Sequence, residues 1–228
     1  MSGLLSTVTP LDWVAVAWFL AAWIGYGWVA DQSRLAVNGL LGAVHQYRLA
    51  WARQLFRREN RVTDASLVGN LMGSVSFYAN TTIYILAGLL ALLGALDKVI
   101  SATAALPFAG VSSRSLWEIK LLLLLAVFVV AYFKFTWSLR LFNFLAILIG
   151  AAPEEMAEGS RDATRMARIN SMAGDEFNRG IRAYYFGLAA VTWFVQPWLF
   201  IAMSSVVLVV LYRRDFASPA LRVLRDEA

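Results

Sequence analysis

Cysteine is absent from the 228 residues, and histidine occurs once, at His45. The first absence excludes a disulfide frame, thiolate chemistry and any cysteine-ligated metal. The second leaves no set of imidazoles for a haem or a histidine-built metal centre, so His45 reads as structural or interfacial and no cofactor is expected. Lysine is almost missing as well, with 3 Lys beside 17 Arg. Carboxylates avoid the apolar stretches. Glu118 is the exception and sits within a turn of one end, which is poor material for a proton relay. The chain has no GxxxxGK[ST], no HExxH and no GxSxG. No catalytic or metal-ligating residues are therefore predicted, and an enzyme acting on a lipid head group is the weakest of three functional readings.

What the chain has is apolar length. It is 60% hydrophobic, with 9 Trp, 8 Tyr, 14 Phe and a mean hydropathy of +0.61, well above the roughly 45–50% apolar share of soluble domains. Residues 116–150 form the longest such stretch, and from Leu121 to Phe133 it carries no charge. A bilayer core of about 30 Å takes roughly 20 apolar residues as a helix. The pattern predicts a single all-α, polytopic membrane domain over residues 1–228. Four spans are expected at about 11–30, 66–96, 116–139 and 183–212, with two cytoplasmic amphipathic segments at about 31–63 and 150–182. Residues 11–30 are too long for a signal-peptide core and lack a basic lead, so they read as a retained span.

Residues 33–58 place Val37, Leu40, Leu41, Val44, Tyr47, Trp51 and Leu55 at helical spacing on one face, suited to the membrane interface. Arg48 interrupts that face. Either it snorkels to lipid phosphate, or it is paired in a helix seam with Asp175, Glu176 or a bound anion. In the second span Gly69 and Gly73 form GxxxG, and Asn70, Ser74, Asn80 and Thr81 add polar groups. Such groups need partners in hydrocarbon, so they mark a close helix–helix contact or a wet lining. The third span continues beyond Lys134 and Arg140 until Gly150-Ala-Ala-Pro153 stops it. A polar helix then starts at Pro153-Glu154-Glu155 and ends at Gly174, and Asp175 caps the next one. In the fourth span Gln196-Pro197 predicts a kink, with Gln196 available for the freed backbone group or for a cavity.

Arginines 34, 48, 53, 57, 58 and 61 fall between spans one and two, and 161, 165, 168, 179 and 182 between spans three and four. The bias of basic residues places both segments in the cytoplasm and both termini outside, although the Arg-rich tail runs against this. Net charge is +5 with a pI near 9.7. Because the arginines flank apolar runs and no groove-reading motif accompanies them, they point to anionic lipid and not to nucleic acid. Arg48, Lys134, Arg140, Asn143, Arg179, Arg182 and Tyr184 make up a candidate collar for a phosphate or carboxylate group.

The stretches Phe77-Tyr-Ala-Asn-Thr-Thr, Phe135-Thr-Trp-Ser-Leu-Arg-Leu-Phe-Asn143, Phe177-Asn-Arg-Gly-Ile-Arg-Ala-Tyr-Tyr-Phe186 and Leu211-Tyr-Arg-Arg-Asp-Phe-Ala-Ser218 resemble the bacterial and plant membrane family called domain of unknown function 599. Asn80 and Asp215 depart from the family pattern, which has serine and glutamate there. The resemblance implies four membrane helices and a bacterial inner membrane, and no known activity. The leading functional expectation is a homo-oligomeric channel or transporter-like protein for a small ion or anionic solute. The alternative is a non-catalytic structural or accessory membrane protein that binds a partner helix and anionic lipid.

Overall fold

The computed structural model describes residues 9–103, 113–153 and 161–225. All regular elements among them are helical: α1 (Pro10–Gln32), α2 (Arg34–Val37), α3 (Leu40–Leu55), α4 (Val62–Gly94), α5 (Leu96–Thr103), α6 (Arg114–Gly150), α7 (Asp162–Val191), α8 (Pro197–Phe216) and α9 (Pro219–Leu224). Three of them, α1, α4 and α6, are long and apolar enough to cross a membrane. The loop expected at residues 97–115 is helical at its start, where α5 covers Leu96–Thr103; its stretch with Pro107 and Gly110 and the acidic helix start at Glu154-Glu155 lie outside the described residues.

The helix starts follow from local chemistry. Thr9 and Asp12 form a reciprocal cap on α1: Thr9 N–H and Oγ1 donate to Asp12 Oδ2 at 3.0 and 2.6 Å, and Asp12 N–H donates to Thr9 Oγ1 at 3.3 Å. Ser33 caps α2, and Ser218 caps α9 ahead of Pro219. Asn60 Oδ1 accepts Val62 N–H at 2.8 Å at the head of α4.

Three boundaries differ from the sequence-based expectation. The segment 33–58 is not one helix, because Gly39 takes an extended conformation and divides α2 from α3. A Cβ on Gly42 would meet the Val37 carbonyl carbon at 2.7 Å, so this tight corner excludes larger residues. The second difference is at Gly174 and Asp175, which neither end nor start a helix. α7 runs unbroken from Asp162 to Val191 and so joins the predicted polar segment to the predicted fourth span. The third is at Pro197, where a full break replaces a kink. A 3-10 turn spans Thr192–Phe194, Val195 and Gln196 N–H both bond the Thr192 carbonyl, and Pro197 opens α8. Proline cannot donate the next ladder bond, so the helix restarts.

The chain packs as two compact units, whose limits fall inside the long helices. The first comprises residues 1–28, 81–132 and 181–212. Its core is aromatic: Phe19 meets Phe200 at 5.0 Å and Phe186 edge-on at 5.8 Å, and Trp193 stacks on Phe200 at 5.4 Å. Such pairs add about 0.5–1.5 kcal/mol each beyond area burial. The second unit comprises residues 29–80, 133–180 and 213–228. Its core includes Phe135, Leu141, Phe142, Leu145, Met166 and Ala173. Within it Tyr78 stacks on Phe135 at 5.6 Å, and Phe177 lies 5.8 Å from Phe135.

Candidate functional site

In the second unit the polar groups gather around the first half of α7. Small residues permit the close approach. Ser138 Oγ of α6 donates to the Ala173 carbonyl at 2.7 Å. Phe135 lies where Gly180 leaves room, and the Arg48 guanidinium of α3 lies over Gly174, with Cζ 2.8 Å from where a Cβ would stand. Gly174 is thus a seat for an arginine and not a helix terminator. His45 Nδ1 and Ser171 Oγ share a hydrogen bond of 2.7 Å on the same helix pair.

The charges interleave. Glu176, which is buried, contacts Lys134 Nζ at 2.9 Å on one oxygen and Arg179 on the other. Arg179 Nε donates to Asp31 at 2.8 Å. Arg48 faces the field of Asp175. Burial alone lowers the proton affinity of Arg48, and Asp175 partly restores it. Burial also acts to lower Arg179, but Asp31 and Glu176 outweigh it and the net shift is upward. Lys134, Glu176, Arg179 and Asp31 therefore form one chain of ion pairs, with Arg48 and Asp175 on the same stretch of α7. The arrangement holds helices together and does not present a bare cationic ring to an anion.

Of the residues expected in the collar, Lys134 and Arg179 come together on Glu176, whereas Arg48 is seated over Gly174 in the field of Asp175. Arg140 and Asn143 stand on the exposed side of α6, with Arg140 over the Phe144 ring at 5.9 Å. Arg182 and Tyr184 belong to the first unit, where Arg182 is buried and Tyr184 Oη bonds Thr82 Oγ1 at 2.6 Å. Gln196 is half-buried at the break before α8. On α4, Gly69, Asn70, Gly73, Ser74 and Asn80 are exposed and Thr81 is half-buried, and no atom of another element lies within 4 Å of a Cβ built on Gly69 or Gly73.

Several polar positions were not anticipated. Asp31 looked like the mere end of an apolar span, but it anchors Arg179. Asp64 looked like a helix start. It is fully buried and accepts Trp51 Nε1 and Arg58 Nη1, each at 2.6 Å. Arg61 donates to the carbonyls of Ala152, at 2.6 Å, and of Pro153, and so fastens the segment that follows α6 from 91 residues away. In the first unit, Trp193 Nε1 donates to Asp12 at 2.7 Å, and Lys120 Nζ lies 5.4 Å from the Trp193 ring. Of these, the sequence marks Asp12, beside Pro10, and Asp64 as helix starts and Arg61 as a cytoplasmic cation, and names a partner for none of them.

Three hollows of the second unit border these groups. One of about 280 Å³ is lined by Asp31, His45, Gln46, Ser171, Asp175 and Arg179 among others. An open cleft of about 980 Å³ has Arg57, Arg58 and Arg61 over Phe56, Val62 and Ile149. The third, of about 10 Å³, lies among Arg48, Trp51, Leu55, Leu145, Met166 and Asn170. Among the described residues, no three His, Asp or Glu side chains converge as metal ligands.

The profile of a family described as "Protein of unknown function, DUF599" matches residues 14–220. The chain belongs to this family. The DUF599 match runs from within α1 to the first residues of α9, and so includes most of both units and the polar cluster of the second unit, while Thr9 and Asp12 precede it. No curated protein and no solved structure matches the chain. DUF599 membership and three apolar helices together point to a membrane protein.

Proposed function

We propose that the chain is a multi-pass protein of a bacterial inner membrane, and that it works by association: the outward face of α4 docks on a helix of a second copy or of another membrane protein. In this reading α8, 20 residues long, supplies the fourth span. The Arg-rich segments lie in the cytoplasm, where exposed Arg140 meets anionic lipid. One observation carries the proposal. Gly69, Asn70, Gly73, Ser74 and Asn80 form an exposed, polar, small-residue side on a helix apolar enough to span. Amide side chains facing hydrocarbon alone are costly, whereas glycines admit a second backbone closely enough for those amides to bond across the interface.

The natural absence of cysteine makes the test clean. Asn70→Cys, Ser74→Cys and Asn80→Cys are made singly in the full chain and exposed to a hydrophilic thiol reagent in the membrane, while native mass spectrometry records the subunit count. Docking predicts protection, together with more than one subunit or a retained partner. A monomer with fully reactive cysteines refutes it. The second reading is a homo-oligomeric channel or transporter-like protein for a small ion or anionic solute. The same face favours it, since copies arranged around an axis would bring Asn70, Ser74 and Asn80 to a shared lumen. It requires a closed ring with reactive cysteines and flux in liposomes. Against it stands the collar, in which Lys134 and Arg179 are already paired with Glu176 and Asp31.

A further inference from the structure

The smallest hollow brings together two buried groups whose hydrogen-bonding capacity is unmet. Asn170, on α7, is 3% exposed, and its Oδ1 accepts no bond. Arg48 Nη1, on α3, is likewise buried without an acceptor. Both residues line the same hollow, and the rest of its wall is apolar apart from Trp51, whose N–H is committed to Asp64. One group is a donor and the other an acceptor. The space, about 10 Å³ as room for the centre of a water-sized sphere, is what one water takes. Leaving either group unmet costs more than ordering a water between them.

We infer that Arg48 Nη1 and Asn170 Oδ1 hold one buried water molecule, which completes the shell of the guanidinium seated on Gly174. An anion does not suit the site, because it would leave the buried Asn170 Oδ1, itself an acceptor, without a donor. An apolar ligand does not suit it either, because both polar groups would stay unmet. The water gives Arg48 a neutral partner in addition to the field of Asp175, and so keeps a charged group inside the contact between α3 and α7.

The test is a high-resolution structure of the full chain, prepared once in chloride and once in bromide. The expected result is a single density peak within hydrogen-bonding distance of both atoms, with no anomalous signal in bromide. A bromide peak there overturns the proposal, and so does a collapsed hollow with Arg48 bonded directly to Asn170. A second measurement uses thermal unfolding in mild detergent of Arg48→Met, Asn170→Leu and the double variant. Each single change leaves its partner unmet and lowers the midpoint. The double change removes both polar groups, so its midpoint lies no lower than that of the worse single variant. If the two losses simply add, the groups do not share a ligand and the proposal fails.

Discussion

Gly180→Ala sets two known effects against each other. Alanine is the better helix former by about 0.8–1.0 kcal/mol, and Gly180 is inside α7. Propensity alone therefore predicts a more stable protein. Packing predicts the reverse. A Cβ on Gly180 would stand 2.7 Å from Phe135 Cδ1 and 2.8 Å from Cζ, well inside van der Waals contact. The ring has nowhere to go. Phe135 is 0% exposed, with Tyr78 and Phe177 stationed 5.6 and 5.8 Å away. Overpacking of this kind costs about 1–3 kcal/mol. The difference is a net loss of up to roughly 2 kcal/mol, and the unfolding midpoint falls by up to about 8 °C for a chain of this size. The assay is thermal unfolding of purified protein in mild detergent, followed by far-UV circular dichroism. The decisive comparison is made in a Phe135→Leu background, where the smaller side chain vacates the collision. There Gly180→Ala becomes neutral or stabilising, because only the propensity gain is left. Equal losses in both backgrounds would refute the steric argument, and so would a stabilised single variant.

Other perturbations probe the remaining polar contacts. Asp64→Asn removes the charge that binds Arg58 while keeping the shape, and it costs about 1–3 kcal/mol by the same unfolding assay; Asp97→Asn, at an exposed pair with Arg114, shifts the midpoint by far less. Glu176→Gln unbalances Lys134 and Arg179. Both are about one-third exposed and partly hydrated, so the cost is about 1–2 kcal/mol and not the 3–5 of a fully buried pair. Added Lys134→Met recovers part of that loss. Arg61→Ala releases the segment after α6 at Ala152, costs about 1 kcal/mol as a lost hydrogen bond, and speeds limited proteolysis near residues 150–153.

Apolar length was the most legible property of the sequence, because crossing a membrane demands long unbroken runs and few soluble folds contain them. It located α1, α4 and α6 to within a few residues. Boundaries that depend on tertiary contact were harder to read. Gly174 followed by Asp175 has the local look of a helix stop and a new cap. Only the arrival of Arg48, 126 residues earlier in the chain, explains why the glycine is there while the helix continues. The broken helix at Thr192–Val195 was half legible, since Pro197 predicts a disturbance but not whether the chain bends or restarts. The site was legible by residue type and not by partner. Arg48 was recognisable as an intruder on an apolar face, with Asp175 among its possible partners. The pairings of Lys134 and Arg179 depend on Glu176 and Asp31, whose separation in sequence hides them. Charge counting found the cations. It could not find their neutralisation, because a carboxylate at the end of an apolar helix looks the same whether it faces water or an arginine.

The interleaved charges also impose an order on synthesis. Asp31 and Arg48 leave the ribosome early, and Lys134 follows about a hundred residues later. Glu176 and Arg179, which complete the pairings with Lys134 and Asp31, arrive together on one turn of α7. The early helices can therefore be placed in the bilayer while their charges are still hydrated, and the contacts lock only when the last third of the chain has been made. A chain that stops before residue 170 has its apolar helices complete but lacks Glu176 and Arg179, and with them the pairings to Lys134 and Asp31.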